Sequence, residues 1–420
     1  MKFDPYSNCI DGRCGYAADG KQVMQLCPKP VASLRIKDQK TKAPIQVDTS
    51  QMMPRYVCKS VAAGSRHTLF LLIDTNPNVV NKAIIGDRMC KVMTTGLNQV
   101  GLCEERGYDE PNDVLIDYEY DDDVPQSVTA GNGTSFVLSK RGLVYSFGQG
   151  RFGVLGHGNS ETMHTPLVIK DLRHRVVTKV SAGAHHAVAI TDEYQVYSWG
   201  RNDVGQLGRG FESPYEMKIQ SVDFPNLASF AVTDVSCGQH HTIVLVKTVA
   251  VVDNKEVLQT GGKVYSWGDC SRGQLGSGDA VSRMKPQENI WLTKLLLASK
   301  LEVNKIYAGG YHNLVLLKKT GQVIAWGANE YGQLGNGNQW DEPVPKMITS
   351  LRGVIALSAG LRHNMAVSDI NSVEVFTWGY NGNGELGLGD TDVRLQPTHV
   401  SAIKNTNVVG CYCGDKHSVR

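Results

Sequence analysis

Tyr197-Ser198-Trp199-Gly200-Arg201-Asn202-Asp203-Val204-Gly205-Gln206-Leu207-Gly208 is the best copy of a phrase that this chain repeats. Further copies run from Tyr265 to Gly276, Ile324 to Gly335 and Phe376 to Gly387. Tyr145 to Gly156 is a fifth, with Phe147 in the Trp place. A phrase recurring at a near-fixed period is one supersecondary unit copied along the chain. A unit of this size cannot bury its own apolar face, so the copies must pack on each other.

A second phrase, Val-x-Ala-Gly-x-x-His-x-x-x-Leu, precedes each Trp-Gly phrase. Its Ala/Cys-Gly pairs are Ala63-Gly64, Ala130-Gly131, Ala182-Gly183, Cys237-Gly238, Ala308-Gly309, Ala359-Gly360 and Cys413-Gly414. The histidines three residues after each glycine are His67, His186, His241, His312, His363 and His417, with Thr134 in the remaining copy. Seven such phrases imply seven units. The Trp-Gly phrase follows only six of them, and the Gly96 copy is degenerate, with Thr95 in the Trp place. Near the start, Tyr6, Ser7, Gly12, Cys14 and Gly15 fall on the offsets of Trp, Gly, Gly, Leu and Gly. Residues 1–30 are therefore expected to complete a last unit begun at 406–420. Sharing a unit between the two ends closes a ring and removes exposed sheet edges.

The pattern inside each unit is β. Short alternating apolar runs such as Ala187-Val188-Ala189-Ile190 lead through a polar turn to Val196-Tyr197-Ser198-Trp199. A proline stands ten residues beyond the Leu-Gly glycine, at Pro166, Pro286, Pro345 and Pro397, and lacking an N–H it suits the start of an outer strand. The expected fold is all-β: one domain over 1–420, a seven-bladed propeller of four-stranded antiparallel blades. Insertions are expected near 73–91, 104–124, 247–262 and 288–303. The last reads as a short amphipathic helix over Ile290 to Lys300.

The chain of 420 residues exceeds what one ordinary core serves, which a repeat array avoids. With 43 basic and 41 acidic residues the net charge is +2, which argues against a nucleic-acid or anionic-membrane binder. No apolar run of membrane length appears, and the first residues carry neither a signal core nor transit character, so a cytoplasmic address is the default expectation, with nucleus or cilium as alternatives. The ten cysteines form no CxxC pair and read as reduced thiols.

Together the two phrases resemble the repeat of the regulator of chromosome condensation family, and the match runs from Tyr6 to His417. The resemblance implies a seven-bladed ring with partner-binding loops on two faces. Members include nucleotide-exchange factors for small GTPases such as Ran, interaction platforms, ubiquitin-ligase modules, cytoskeletal or ciliary proteins, and light sensors. Light-sensing members carry Trp inside the Gly-x-x-His phrase. Here those places hold Ser65, Ala184, Gln239, Gly310, Leu361 and Asp415, so a tryptophan photosensor is not expected.

No catalytic, cofactor or metal site is expected. The six histidines sit at equivalent places, and a residue repeated in every unit serves the unit, whereas acid–base catalysis needs groups in unlike environments. The repeat tryptophans Trp199, Trp267, Trp326 and Trp378 should pack between blades. Gly148-Gln149-Gly150-Arg151-Phe152-Gly153 spells GxGxxG but lacks the βαβ context of a dinucleotide site. Because members of a repeat family differ in their loops, the candidate partner-binding residues lie in the insertions: Asp117, Glu119, Asp121, Asp122, Asp123, Asp253, Lys255 and Trp291. The expected function is a non-catalytic protein-interaction platform. Its alternative is an exchange factor for a Ran- or Rab-like GTPase, and a cytoskeletal or axonemal assembly is a further partner the resemblance admits.

Overall fold

A computed structural model describes residues 13–16, 22–24, 56–74, 90–96, 112–224, 230–252, 255–258, 262–370, 372–403, 408 and 410–419. Their pairing is antiparallel throughout, in six four-stranded sheets built in chain order, the fourth carrying one extra short strand. The sheets span 56–114, 125–168, 177–221, 230–288, 303–348 and 354–399. These are blades 1 to 6.

The expectation of seven four-stranded blades is corrected to six among the described residues. The seventh Cys-Gly phrase forms a two-stranded hairpin, Tyr412–Cys413 with Ser418–Val419. Among the described residues, the N-terminal segment expected to complete it does not pair with it. Arg13–Tyr16 pairs instead with Gln22–Met24. Tyr6, Ser7 and Gly12 lie outside the described residues. The N-terminal phrase has no Trp and no Gln-Leu pair, the groups that tie blades 3 to 6 to their neighbours. The C-terminal hairpin nonetheless bonds to blades on both sides. Leu361 N donates to Gly414 O at 3.3 Å, and Asp415 N donates to Gly64 O at 3.3 Å. Cys411 and Cys413 pack with Met365 and Val367 of blade 6, and Val419 packs with Phe70 and Leu72 of blade 1.

The core lies between blades as successive wedges. Trp199 packs with Phe136 and Val154 of blade 2, and Trp326 packs with Ile243 and Val264 of blade 4. Trp199, Trp267, Trp326 and Trp378 are fully buried. Each indole donates to a carbonyl of the preceding blade: Trp199 to Val154 O at 2.7 Å, Trp267 to Gln206 O at 2.9 Å, Trp326 to Gln274 O and Trp378 to Gln333 O, both at 3.0 Å. The Gln of Gln-Leu-Gly thus supplies the acceptor for the next unit's Trp, which is why the two words recur together. Burying about 200 Å² per indole at about 25 cal/mol per Å² contributes roughly 5 kcal/mol each.

The repeat prolines are also repositioned. Pro166, Pro286, Pro345 and Pro397 stand inside the outer strands, not at their starts. Pairing skips there: Gly268 faces Arg283 and Ser266 faces Gln287, leaving 284–286 out of register. Blades 2, 5 and 6 show the same break. A bulge needs no ladder N–H, so it accommodates proline without a lost bond.

Candidate protein-binding faces

Antiparallel order sends the loops of every blade to two ends. The Gly-x-x-His loop joins the innermost and second strands, and the Gly-Gln-Leu-Gly loop joins the third and fourth. Both therefore lie on one face, here the first. The turns between second and third strands, and the links between blades, lie on the second face.

The histidines of the first face do not form a reactive cluster. Each Nε2 meets the next blade: His67 to Ser135 Oγ at 3.0 Å, His186 to Thr242 Oγ1 at 3.0 Å, His241 to Asn313 Oδ1 at 2.8 Å, His312 to Asn364 Oδ1 at 2.7 Å and His363 to Ser418 Oγ at 3.0 Å. His417 Nε2 reaches Thr68 Oγ1 at 3.0 Å. Asn313 uses its own amide to donate to Gln274 O, so its oxygen is an acceptor and His241 carries its proton on Nε2. Asn364, donating to Gln333 O, fixes His312 in the same way. Burial holds His67, His241 and His312 down to about 4, and His186 and His363 to about 3, so all are neutral. The one missing link is compensated. Thr134 replaces the histidine of blade 2, and Ala187 replaces the Ser, Thr or Asn it would have met in blade 3.

The residues just before each histidine face outward. They are Arg66, His185, His240, Tyr311, Arg362 and Lys416, with a buried Gly133 in the remaining copy, and around them gather aromatic rings and guanidinium groups. Phe152 lies 5.1 Å from His185 and 6.3 Å from Tyr215 between ring centroids. Arg151 and Arg201 stack on it at 4.9 and 5.4 Å. His240 neighbours Tyr311 at 5.9 Å. Arg362 stacks on Tyr331 at 4.9 Å and donates to its hydroxyl at 3.2 Å, while Tyr331 meets Tyr380 edge-on at 4.9 Å. Phe152 has φ 62°, a left-handed conformation costing about 1 to 3 kcal/mol outside glycine. His185 is held to about 4, by burial first and then by Arg201 and Arg151. Positive charge on this arc therefore comes from arginine and lysine.

The described residues among those singled out from the insertions fall on or toward the second face, and the structure does not make them one strip. Asp123 is 5% exposed and caps a turn, its Oδ1 accepting from Val124 N at 3.0 Å and Arg141 N at 3.2 Å. Asp122 pairs with Arg141 at 2.5 Å, and Glu119 pairs with Arg173. Asp117 and Asp121 are exposed, with no ion pair among the described residues. Asp253 lies outside the described residues, and Lys255 begins Lys255–Leu258, a short strand that pairs with the extended Val249–Val252 run. The helix Ile290–Ser299, α1, forms as expected. Asn289 caps it by accepting from Leu292 N at 2.9 Å, and Leu292 and Leu296 are buried. Trp291 is 51% exposed, and its indole donates to Ser277 O at 3.2 Å.

Sequence reasoning missed the arc on the first face, although a signal was present. The place before the histidine changes freely, through Arg66, His185, Tyr311 and Lys416, while Gly and His on either side are kept. A variable position inside a fixed phrase marks a side chain that the blade itself does not use.

Among the described residues no helix is long and apolar enough to cross a membrane, and no three His, Cys, Asp or Glu converge as metal ligands. The sequence profile of the RCC1-like domain matches residues 34–420. The chain is 32% identical over 298 residues to the ultraviolet-B receptor UVR8 of Arabidopsis thaliana, covering 70% of this chain and 62% of that protein. It is also 32% identical over 295 residues to the E3 ubiquitin-protein ligase HERC2 of Homo sapiens, covering 70% of this chain and 6% of that one. The chain thus spans less than two thirds of either relative. Human WBSCR16 superposes with a TM-score of 0.67 at 24% identity, covering 86% of this chain and 85% of that one. Yeast Prp20, bound to Kap60, gives 0.68 at 20% identity over 85% of this chain and 78% of its own. At those identities the two structures establish the fold alone.

Proposed function

Because the chain belongs to the RCC1-like family of repeat propellers, we propose that it is a non-catalytic platform that holds an acidic protein surface against its Gly-x-x-His face. One observation carries this reading: the arc from Arg151, Phe152 and Arg201 to Arg362, Tyr331 and Tyr380, where guanidinium planes lie on half-buried rings. Arginine and aromatic side chains are the groups that dominate protein interfaces, and stacking fixes them in place before a partner arrives. The strained Phe152 backbone supports the reading, since such a conformation persists where a side chain must be presented.

Some neighbouring charges are already neutralised. Arg272 engages Asp341 through two bonds, at 2.5 and 3.0 Å, and Glu330 at 3.5 Å. Arg201 is paired with Asp203, whereas Arg66, Arg151, Arg362 and Lys416 form no ion pair with a carboxylate among the described residues, so these four charges are left for a partner. An acidic partner would be drawn in at a rate that falls with salt.

The test is quantitative capture of binding proteins by the full chain, with cross-linking to locate them. Arg151→Glu with Arg362→Glu should reduce capture about tenfold or more, the loss expected when two unpaired charged anchors are reversed. Asp117→Lys with Asp121→Lys should leave it unchanged. The reverse result would move docking to the second face and overturn the assignment. The exchange-factor alternative is separated by labelled-GDP release from Ran- and Rab-like GTPases. Acceleration at micromolar chain favours it, and no effect leaves the platform.

A further inference from the structure

The innermost strands leave an axial cavity of about 410 Å³. In each blade the innermost strand carries a bulge against its neighbour, and the residue just after the bulge occupies the same level. These residues are Ser60, Ser127, Lys179, Asp234, Lys305 and Ala356 in blades 1 to 6. Three are ionisable and sit on consecutive blades, and all three line the cavity.

Their charges do not cancel. Asp234 is 8% exposed, and its Oδ1 accepts from Val235 N at 2.9 Å and pairs with the Lys179 ammonium. Lys305 has no carboxylate partner among the described residues. The other carboxylate lining the cavity, Asp415, sits at the Gly-x-x-His mouth beside Arg66, Arg362 and Lys416. One positive charge at the level of Lys305 is therefore unmatched in a walled space. Lys179 is brought down to about 8, by burial first and then by the Lys305 ammonium two blades on. An anion between them would relieve their repulsion.

We propose that this level of the axial cavity binds a phosphate-class oxyanion between the ammonium groups of Lys179 and Lys305, with Asp234 holding Lys179 in place. Lysine suits this role because its ammonium is a compact point charge with three donors, and a tetrahedral oxyanion offers acceptors in several directions. The volume accepts a free ion or the phosphate of a small metabolite. The partner-binding reading does not enter this inference, and the side chains of the outer arc take no part in it.

The experiment is thermal unfolding of the full chain in chloride buffer, with inorganic phosphate added at constant ionic strength. Wild type should gain about 3 °C at a hundredfold excess over Kd, rising with the logarithm of concentration. Lys305→Gln, at an exposed position, should fold and lose that dependence; Lys179→Gln should lose it too. A parallel titration with ribose 5-phosphate identifies the source. An equal or stronger response assigns the site to a phosphorylated small molecule, and a response to inorganic phosphate alone assigns it to the free ion. An equal rise in wild type and Lys305→Gln, or no rise in wild type, overturns the proposal.

Discussion

Lowering the pH from 7.5 to 5.5 should destabilise this propeller steeply, because its blades are joined through histidines that cannot accept a second proton. The Nδ1 atoms of His67, His186, His241, His312 and His363 are buried without a partner. They lie against the glycine of their own phrase. A Cβ built on Gly238 would fall 2.5 Å from His241 Nδ1, so neither water nor an acceptor fits there. Protonation would place a charge and an unpaired donor in that space. The sign follows from linkage. The folded values of about 3 to 4 lie below the unfolded value of 6.5, so in the window between them the unfolded chain binds more protons and stability falls with pH. At pH 5.5 each group costs about 1.4 kcal/mol, and the five together about 7 kcal/mol. Asp415 works the other way. Burial raises it to about 6, so it favours the folded state as pH falls, by about 0.8 kcal/mol at pH 5.5. The net loss of about 6 kcal/mol is comparable with the whole stability of many domains. Urea unfolding at half-unit pH steps measures it directly, and the slope near pH 5.5 gives the net number of protons taken up, expected to be slightly under about four once Asp415 is counted. A slope below two protons would refute the neutral, sealed histidine ring. His312→Gln should lower the slope by about one.

Gly276→Ala should cost about 3 kcal/mol, because φ is +70° and the new Cβ would lie 2.2 Å from Asn289 Nδ2 and 2.9 Å from the Trp326 indole nitrogen; Gly158→Ala, at φ +75° in open space, should cost only about 1 kcal/mol. Urea midpoints for the two variants check the difference, and equal costs would mean that the Gln-Leu-Gly loop is not clamped against the next blade. Restoring the absent link by Thr134→His should destabilise alone, by leaving a buried imidazole facing Ala187, and Thr134→His with Ala187→Thr should recover about 1 kcal/mol through coupling. A double-mutant cycle with no coupling would show that the links between other blades contribute no pairwise energy.

What the sequence made legible is what the blade needs in every copy. Trp326 and Gln274 recur because one donates to the carbonyl of the other across a blade boundary, and the same bond forms at Trp267 and Trp378. The histidines were readable as structural for the same reason. The number of four-stranded blades was not readable. It depends on whether a weak phrase with Cys14 in the Leu place can hold a third strand, and glycine offsets say nothing about the missing indole. The proline positions failed for a related reason. Lack of an N–H fits a strand start and a bulge equally, and only the register of 284–286 decides between them.

The candidate functional residues were harder because function here resides in differences between copies, which a repeat reading averages away. Long insertions drew the eye to Asp117 through Asp123, yet three of those acids are used by the chain itself, through Arg141, Arg173 and the turn at Val124. The informative departures were single residues at constant spacing. Lys179, Asp234 and Lys305 stand where the other blades carry Ser or Ala at one level of the axis, and on the rim the places of Arg362 and Phe152 change from copy to copy. Equal units repeated about one axis have a nearly symmetric field, and a ligand or partner can be oriented only where that symmetry is broken. The three charged neighbours inside the cavity and the arginine–aromatic arc outside it are the two places where this propeller breaks it most. They are separable by substitution, since Lys305→Gln touches only the first and Arg362→Glu only the second.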